Sequence, residues 1–120
     1  MPDTLSAKCA CGAVTARLTG PFRDAVACHC ETCRRQSGHY VAATRINAQG
    51  LQLIKADRLK WWAASEVAKR GFCSDCGSLM FWQKNGSDEI SIFMGCLDAP
   101  TGITLTEHIF VAEKGDYYDV

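Results

Sequence analysis

The segment Cys28-His29-Cys30-Glu31-Thr32-Cys33 carries three thiols within six residues. At C-x-C-x-x-C spacing, three soft sulfurs can take three corners of a tetrahedron around one zinc ion. A structural zinc site normally uses four protein ligands; a reactive one uses three and keeps a corner for water or substrate. The chemistry open to the triplet therefore depends on whether the chain supplies a fourth ligand.

Eight cysteines occur in 120 residues, and they fall in groups. Cys9 and Cys11 form C-x-C, Cys73 and Cys76 form C-x-x-C, and Cys96 stands alone. The first residues, Met1-Pro2-Asp3-Thr4, show no basic segment leading into an apolar one, so no secretory signal is expected. In a reducing, cytoplasmic setting, clustered thiols suit shared metal ions better than disulfides. Each outer pair is followed by a glycine, Gly12 or Gly77, which allows the positive φ that turns backbone N–H groups toward sulfur. Joining Cys9 and Cys11 to Cys73 and Cys76 completes a four-cysteine clip and closes a loop of about sixty residues. The competing arrangement, in which the triplet takes Cys73 or Cys76, strands other thiols.

If the clip closes on itself, the triplet keeps an open corner. Candidates for its fourth ligand are Cys96, His29, His39 and His108. His29 would have to fold back onto the ion its neighbours hold, and Cys96 follows an apolar run, where a buried thiol is the commoner state. Three thiolates leave a zinc ion with one net negative charge, which makes it a weak acidifier of water. A soft incoming thiol suits it better. Coordination would deprotonate a thiol whose free pKa is about 8.5 and hold it as a nucleophile. A small aldehyde could then add to that sulfur.

The elements that must position these groups read as mostly β. Ala13–Leu18 alternates as a half-buried strand, stopped by Thr19-Gly20-Pro21. Tyr40–Ile46 and Leu51–Lys55 read as strands, and 59–63 with 67–72 as a hairpin around Ala64-Ser65-Glu66. Strands are also expected at 79–82, after the second knuckle, at 89–94, which alternates cleanly after the turn Asn85-Gly86-Ser87-Asp88, and at 109–111. Helical turns are expected only at 31–37 and 100–103. No internal repeat or linker breaks the chain, so residues 1–120 are read as one mainly β, zinc-binding domain.

Four blocks together carry a family resemblance: Cys9-x-Cys11-Gly12, Cys28-His29-Cys30-x-x-Cys33-Arg34, Gly71-Phe72-Cys73-x-x-Cys76-Gly77 and His108-Ile109-Phe110-Val111. In order and spacing the chain resembles the glutathione-dependent formaldehyde-activating enzyme family, whose domain is shared with centromere protein V. The resemblance runs from about Leu5 to Val120. It implies a β-tent of several small coiled antiparallel sheets. It also implies a structural zinc on Cys9, Cys11, Cys73 and Cys76, and a catalytic zinc on Cys28, Cys30 and Cys33. The implied activity is that of a carbon–sulfur lyase run toward addition, with glutathione as co-substrate and formaldehyde as acceptor, giving S-hydroxymethylglutathione.

Thirteen basic and thirteen acidic side chains cancel, which removes the electrostatic argument for nucleic acid or a membrane surface as partner. No apolar run approaches the roughly 20 residues of a membrane helix. Arg34 and Arg35 are the candidate pair for glutathione's carboxylates, since guanidinium forks suit them; the alternative is two solvated cations after a turn. Trp61 and Trp62 either wall a pocket or split between core and surface. The enzyme reading competes with two others: a zinc-stabilised binding module without chemistry, and a related enzyme with a different thiol or carbonyl substrate.

Overall fold

A computed structural model of the chain describes residues 3–120, so Met1 and Pro2 of the N-terminal reading lie outside the described residues. Strands β1 (Thr4–Lys8) and β2 (Thr15–Thr19) alternate strictly. Leu5, Ala7, Ala16 and Leu18 point inward, while Thr4, Ser6, Lys8 and Arg17 face out. They form an antiparallel three-stranded sheet with β5 (Leu51–Lys55), in the order β1-β2-β5.

The second sheet has seven strands. Its members are β3 (Ala25–Cys28), β4 (Val41–Asn47), β6 (Leu59–Ala63), β7 (Ala68–Cys73), β8 (Leu79–Lys84), β9 (Glu89–Phe93) and β10 (Leu105–Ile109). The order is β10-β3-β4-β9-β8-β7-β6. All neighbours are antiparallel except β10 and β3, which run parallel. The main core lies between the two sheets, with Leu18 of β2 meeting Ile46, Met80, Phe81 and Ile92 of the larger sheet. A smaller apolar cluster of Cys33, Val41, Ala43 and Phe93 sits around the thiol triplet. The described residues contain no helix long and apolar enough to cross a membrane.

The single α-helix among the described residues, α1 (Glu31–Ser37), matches the turn expected there. Cys30 caps it, its sulfur accepting the Cys33 N–H at 3.3 Å, and Gly38 ends it at φ 88°. The β6–β7 hairpin also falls where the sequence places it. Three local expectations fail. The last strand is Leu105–Ile109 rather than 109–111, because Phe110 adopts a left-handed φ of 55° and Val111–Glu113 form a 3-10 turn. Leu105-Thr-Glu-His-Ile has too little apolar alternation to announce itself; its pairing with β3 holds it. Residues 100–103 form no helix. In β9 the expected alternation gives way to four consecutive buried residues, Ile90 to Phe93, because a central strand is covered on both faces.

Candidate metal centres and active-site cavity

The sulfurs of Cys9, Cys11, Cys73 and Cys76 all lie within 4.8 Å of one another. Cys9–Cys11 and Cys11–Cys73 are 3.7 and 3.8 Å apart. Thiolate bonds of about 2.3 Å around a tetrahedral zinc would place sulfurs about 3.8 Å apart, so the donor set fits such an ion. Each half is a knuckle. Gly12 and Gly77, both at φ 79°, donate their N–H groups back to the Cys9 and Cys73 carbonyls. The Val14 and Asp75 N–H groups point at the Cys9 and Cys73 sulfurs, at 3.2 and 3.4 Å. Ser78 Oγ ties the halves together, accepting the Ala10 N–H at 2.9 Å and lying 3.2 Å from Cys76 Sγ. That hydroxyl, first among several hydrogen bonds, pulls the Cys76 thiol down to about 5.

Cys28, Cys30 and Cys33 form the second cluster, and no other Cys, His, Asp or Glu among the described residues joins it. Strand β3 ends on Cys28, the cap of α1 is Cys30, and Cys33 sits in the helix's first turn; the strand-to-helix corner therefore folds three sulfurs onto one point. The contact with Cys33 lowers the Cys28 thiol, and the same contact, with burial, raises that of Cys33 well above its ordinary value. The three sulfurs lie within 4.8 Å of one another, a spacing that fits a shared cation.

Arg70 completes this cluster. It is 5% exposed, and its Nη2 donates to Cys33 Sγ at 3.3 Å while its Nη1 donates to Gln36 Oε1 at 3.2 Å. Three thiolates around a divalent ion carry one net negative charge. A buried guanidinium beside them would supply the compensating positive charge if that ion were bound.

A cavity of about 380 Å³ opens against the triplet. Its floor is one face of the larger sheet. Cys28 pairs with Val41, Val26 with Ala43, Ala43 with Phe93, Arg45 with Ser91, Ser91 with Trp82 and Trp82 with Arg70. Because side chains alternate along strands, this register sets all of these groups on the same side. The walls are mostly apolar, and Arg23, Arg45 and Arg70 are its cations.

The other sequence candidates lie elsewhere. Arg34 and Arg35 project from α1 into a different depression, shared with Lys114 and Tyr117, and do not line the thiol cavity. Arg35 pairs with Glu31 at 2.9 Å on the surface, and Arg34 Nε is buried without a partner. His29 points away from its neighbours' sulfurs. It is fully buried, its Nδ1 meeting the Tyr118 hydroxyl and its Nε2 lying 2.9 Å from His108 Nδ1. Burial and the nearby His108 lower its pKa, so the ring is held neutral. His39 bonds the Tyr117 hydroxyl at 2.6 Å. All three histidines thus join the aromatic cluster that docks the C-terminal segment. Burial pushes the Cys96 thiol up to about 12, and its sulfur donates to the Phe93 carbonyl. Trp61 stacks on Phe81 at 6.0 Å across Gly71, where a Cβ would meet both rings at 3.1 Å. The tryptophan on the cavity wall is Trp82.

The family model described as glutathione-dependent formaldehyde-activating enzyme matches residues 4–113. The chain belongs to this family. An uncharacterized lyase of Schizosaccharomyces pombe is 28% identical over 120 residues, covering 99% of this chain and 86% of that protein. A solved structure of a Rhodobacter sphaeroides protein is similar with a TM-score of 0.66 at 26% identity, covering 84% of this chain and 99% of that one. Membership of the formaldehyde-activating family and the lyase relative support an enzyme of the lyase kind. In this family member, sequence reasoning missed Arg70, Trp82, Arg23 and Arg45. A parity signal existed for two of them: Arg70 shares the inward parity of Ala68, and Arg45 that of Val41 and Ala43.

Proposed function

We propose that the chain is a zinc-dependent, carbon–sulfur lyase-type enzyme that adds the thiol of glutathione to formaldehyde in the cytoplasm. The observation that carries this reading is the three-sulfur cluster on the wall of a cavity, beside a four-sulfur cluster that is closed. Cys9, Cys11, Cys73 and Cys76 hold the structural ion. Cys28, Cys30 and Cys33 hold the catalytic one, whose contribution is to lower the pKa of an incoming thiol. All eight cysteines are free, as a reducing compartment requires.

The chain's own residues supply the setting. Arg70 balances the charge of the three thiolates and fixes the Cys33 sulfur. Val41, Phe93 and Trp82 keep water from the sulfur and leave room for a one-carbon electrophile. Addition forms one C–S bond. The carbonyl π pair moves to oxygen, which takes up one proton for the one the thiol loses. Exchange spectroscopy of glutathione–formaldehyde mixtures tests the reading. Protein loaded with two zinc ions should broaden the exchanging resonances, and no rate effect at several glutathione concentrations would remove the named activity.

A further inference from the structure

The cavity holds more cationic capacity than three thiolates need. Ion pairs among the described residues join Glu31 to Arg35 and Arg58 to Asp75, so Arg23, Arg45 and Arg70 have no carboxylate within 4.0 Å. Arg70 is committed to Cys33 and Gln36. Arg23 and Arg45 are not engaged by the thiol cluster. Arg23 spends its Nε on the Asp24 carbonyl and an Nη2 proton on the Ala43 carbonyl. Arg45 makes one long bond, 3.5 Å, from Nε to Ser91 Oγ. Each guanidinium has five N–H donors, so most point to solvent or into the cavity.

The two cations line the same cavity, on backbones joined by the Arg23 N–H donating to the Arg45 carbonyl at 3.1 Å. Burial, and then the charge of Arg45, lower the Arg23 pKa, while Glu107 and Glu89 offset this from beyond ion-pair range. Two guanidiniums lining one cavity with an apolar wall suit an anion, and planar forks match a carboxylate. The basic depression on α1 differs in place rather than in pairing: Arg35 has Glu31 and Lys114 donates to the Gly115 and Tyr118 carbonyls, Arg34 Nε has no partner, and none of the three lines the thiol cavity.

We propose that Arg23 and Arg45 form the carboxylate-binding end of the cavity and select substrates that carry a carboxylate away from the reacting group. This rests on the reading of Cys28, Cys30 and Cys33 as the reacting end. Val41 lies opposite Cys28, and Arg45 is four residues farther along β4 on the same face. At about 3.3 Å per residue the two positions are about 13 Å apart. A glutathione-like thiol carries its sulfur on the middle residue. From sulfur to the far carboxylate it spans about two residues, roughly 7 Å at about 3.3–3.6 Å per residue, and the Arg45 side chain covers the rest of that length. A two-carbon oxo acid does not reach as far, so the carboxylate is assigned to the thiol partner.

Calorimetric titration of the metal-loaded protein tests this, with S-methylglutathione as probe because it keeps both carboxylates and has no free thiol. Arg45→Met should weaken its binding about tenfold or more, with Arg45→Lys in between. The diethyl ester of the probe should bind weakly and equally to wild type and Arg45→Met. Arg23 supports the Ala43 carbonyl, so Arg23→Lys, checked for fold by circular dichroism, is the second variant and should also weaken the probe. Equal affinity of wild type and Arg45→Met, no binding of the probe, or a loss confined to Arg35→Met would overturn the assignment. Glyoxylate is the second arm: Arg45-dependent binding of glyoxylate alone would keep the carboxylate site but place the anion on the aldehyde. Arg45-dependent binding without catalysed exchange would remove the formaldehyde activity and leave this site standing. Catalysed exchange with unchanged binding would do the reverse.

Discussion

The four-sulfur cluster draws its halves from segments 62 positions apart at Cys11 and Cys73, whereas the three-sulfur cluster comes from one strand-to-helix corner. The first staples β7 to the turn between β1 and β2, joining the edge regions of two sheets. Its sulfurs are held by backbone N–H groups and Ser78. The second adds little long-range connection but borders a cavity and carries a buried arginine. On the proposed reading, the same ligand chemistry serves two ends. Where the loop is long and the donor set full, binding free energy becomes folding free energy; where the corner is local and one donor short, the ion remains available to a substrate.

Cys76→Ser attacks the clip and should have the largest effect. Structural zinc contributes on the order of 10 kcal/mol, comparable to the whole stability of a small domain. The expected outcome is loss of soluble, folded protein, read by yield and circular dichroism. A folded Cys76→Ser variant with one zinc missing would erase the contrast between the clusters.

Cys30→Ser should do the opposite. Serine keeps the cap of α1, since its oxygen can accept the Cys33 N–H as the sulfur does. The protein should stay folded, lose one metal equivalent by elemental analysis, and lose exchange catalysis. Unfolding comparable to that of Cys76→Ser would contradict the division of roles.

Arg70→Met sharpens the comparison within the second cluster. Removing the guanidinium from Cys33 should lower metal affinity there about tenfold to a hundredfold, leaving the clip's ion in place. Competition with a chromogenic chelator reads the two sites separately. Equal weakening of both ions would show that Arg70 acts through the fold.

The smallest effect concerns the aromatic cluster. Tyr118→Phe removes the hydroxyl on His29 and should cost about 1 kcal/mol, a fall of about 4 °C in the thermal midpoint, with both metals retained. Loss of a metal equivalent would instead tie the C-terminal segment to the triplet.

Metal grouping was legible in the sequence because thiols at two- and three-residue spacing have few other uses, and α1 was legible between its cysteine cap and Gly38. Strands with alternating residues, such as β2 and β4, were legible for the same reason that they fold: one face is buried. Less visible was β10, whose polar residues are held by a parallel partner more than seventy positions away. The cavity could not be read locally either. Arg23, Arg45, Arg70 and Trp82 reach it from four separate segments, and only the register of β3, β4, β9, β8 and β7 brings them together. Arg34 and Arg35 looked suited to an anionic substrate because they follow the thiols in sequence. The turn of α1 carries them to another face.

Cobalt substitution tests the central contrast most directly, because tetrahedral thiolate-bound cobalt absorbs visibly and reports changes in its ligands. With two cobalt ions bound, added glutathione should alter the absorption of one ion and leave the other unchanged, and Cys30→Ser should abolish the change. A spectrum indifferent to glutathione, or a response that survives Cys30→Ser, would contradict an open triplet beside a closed clip.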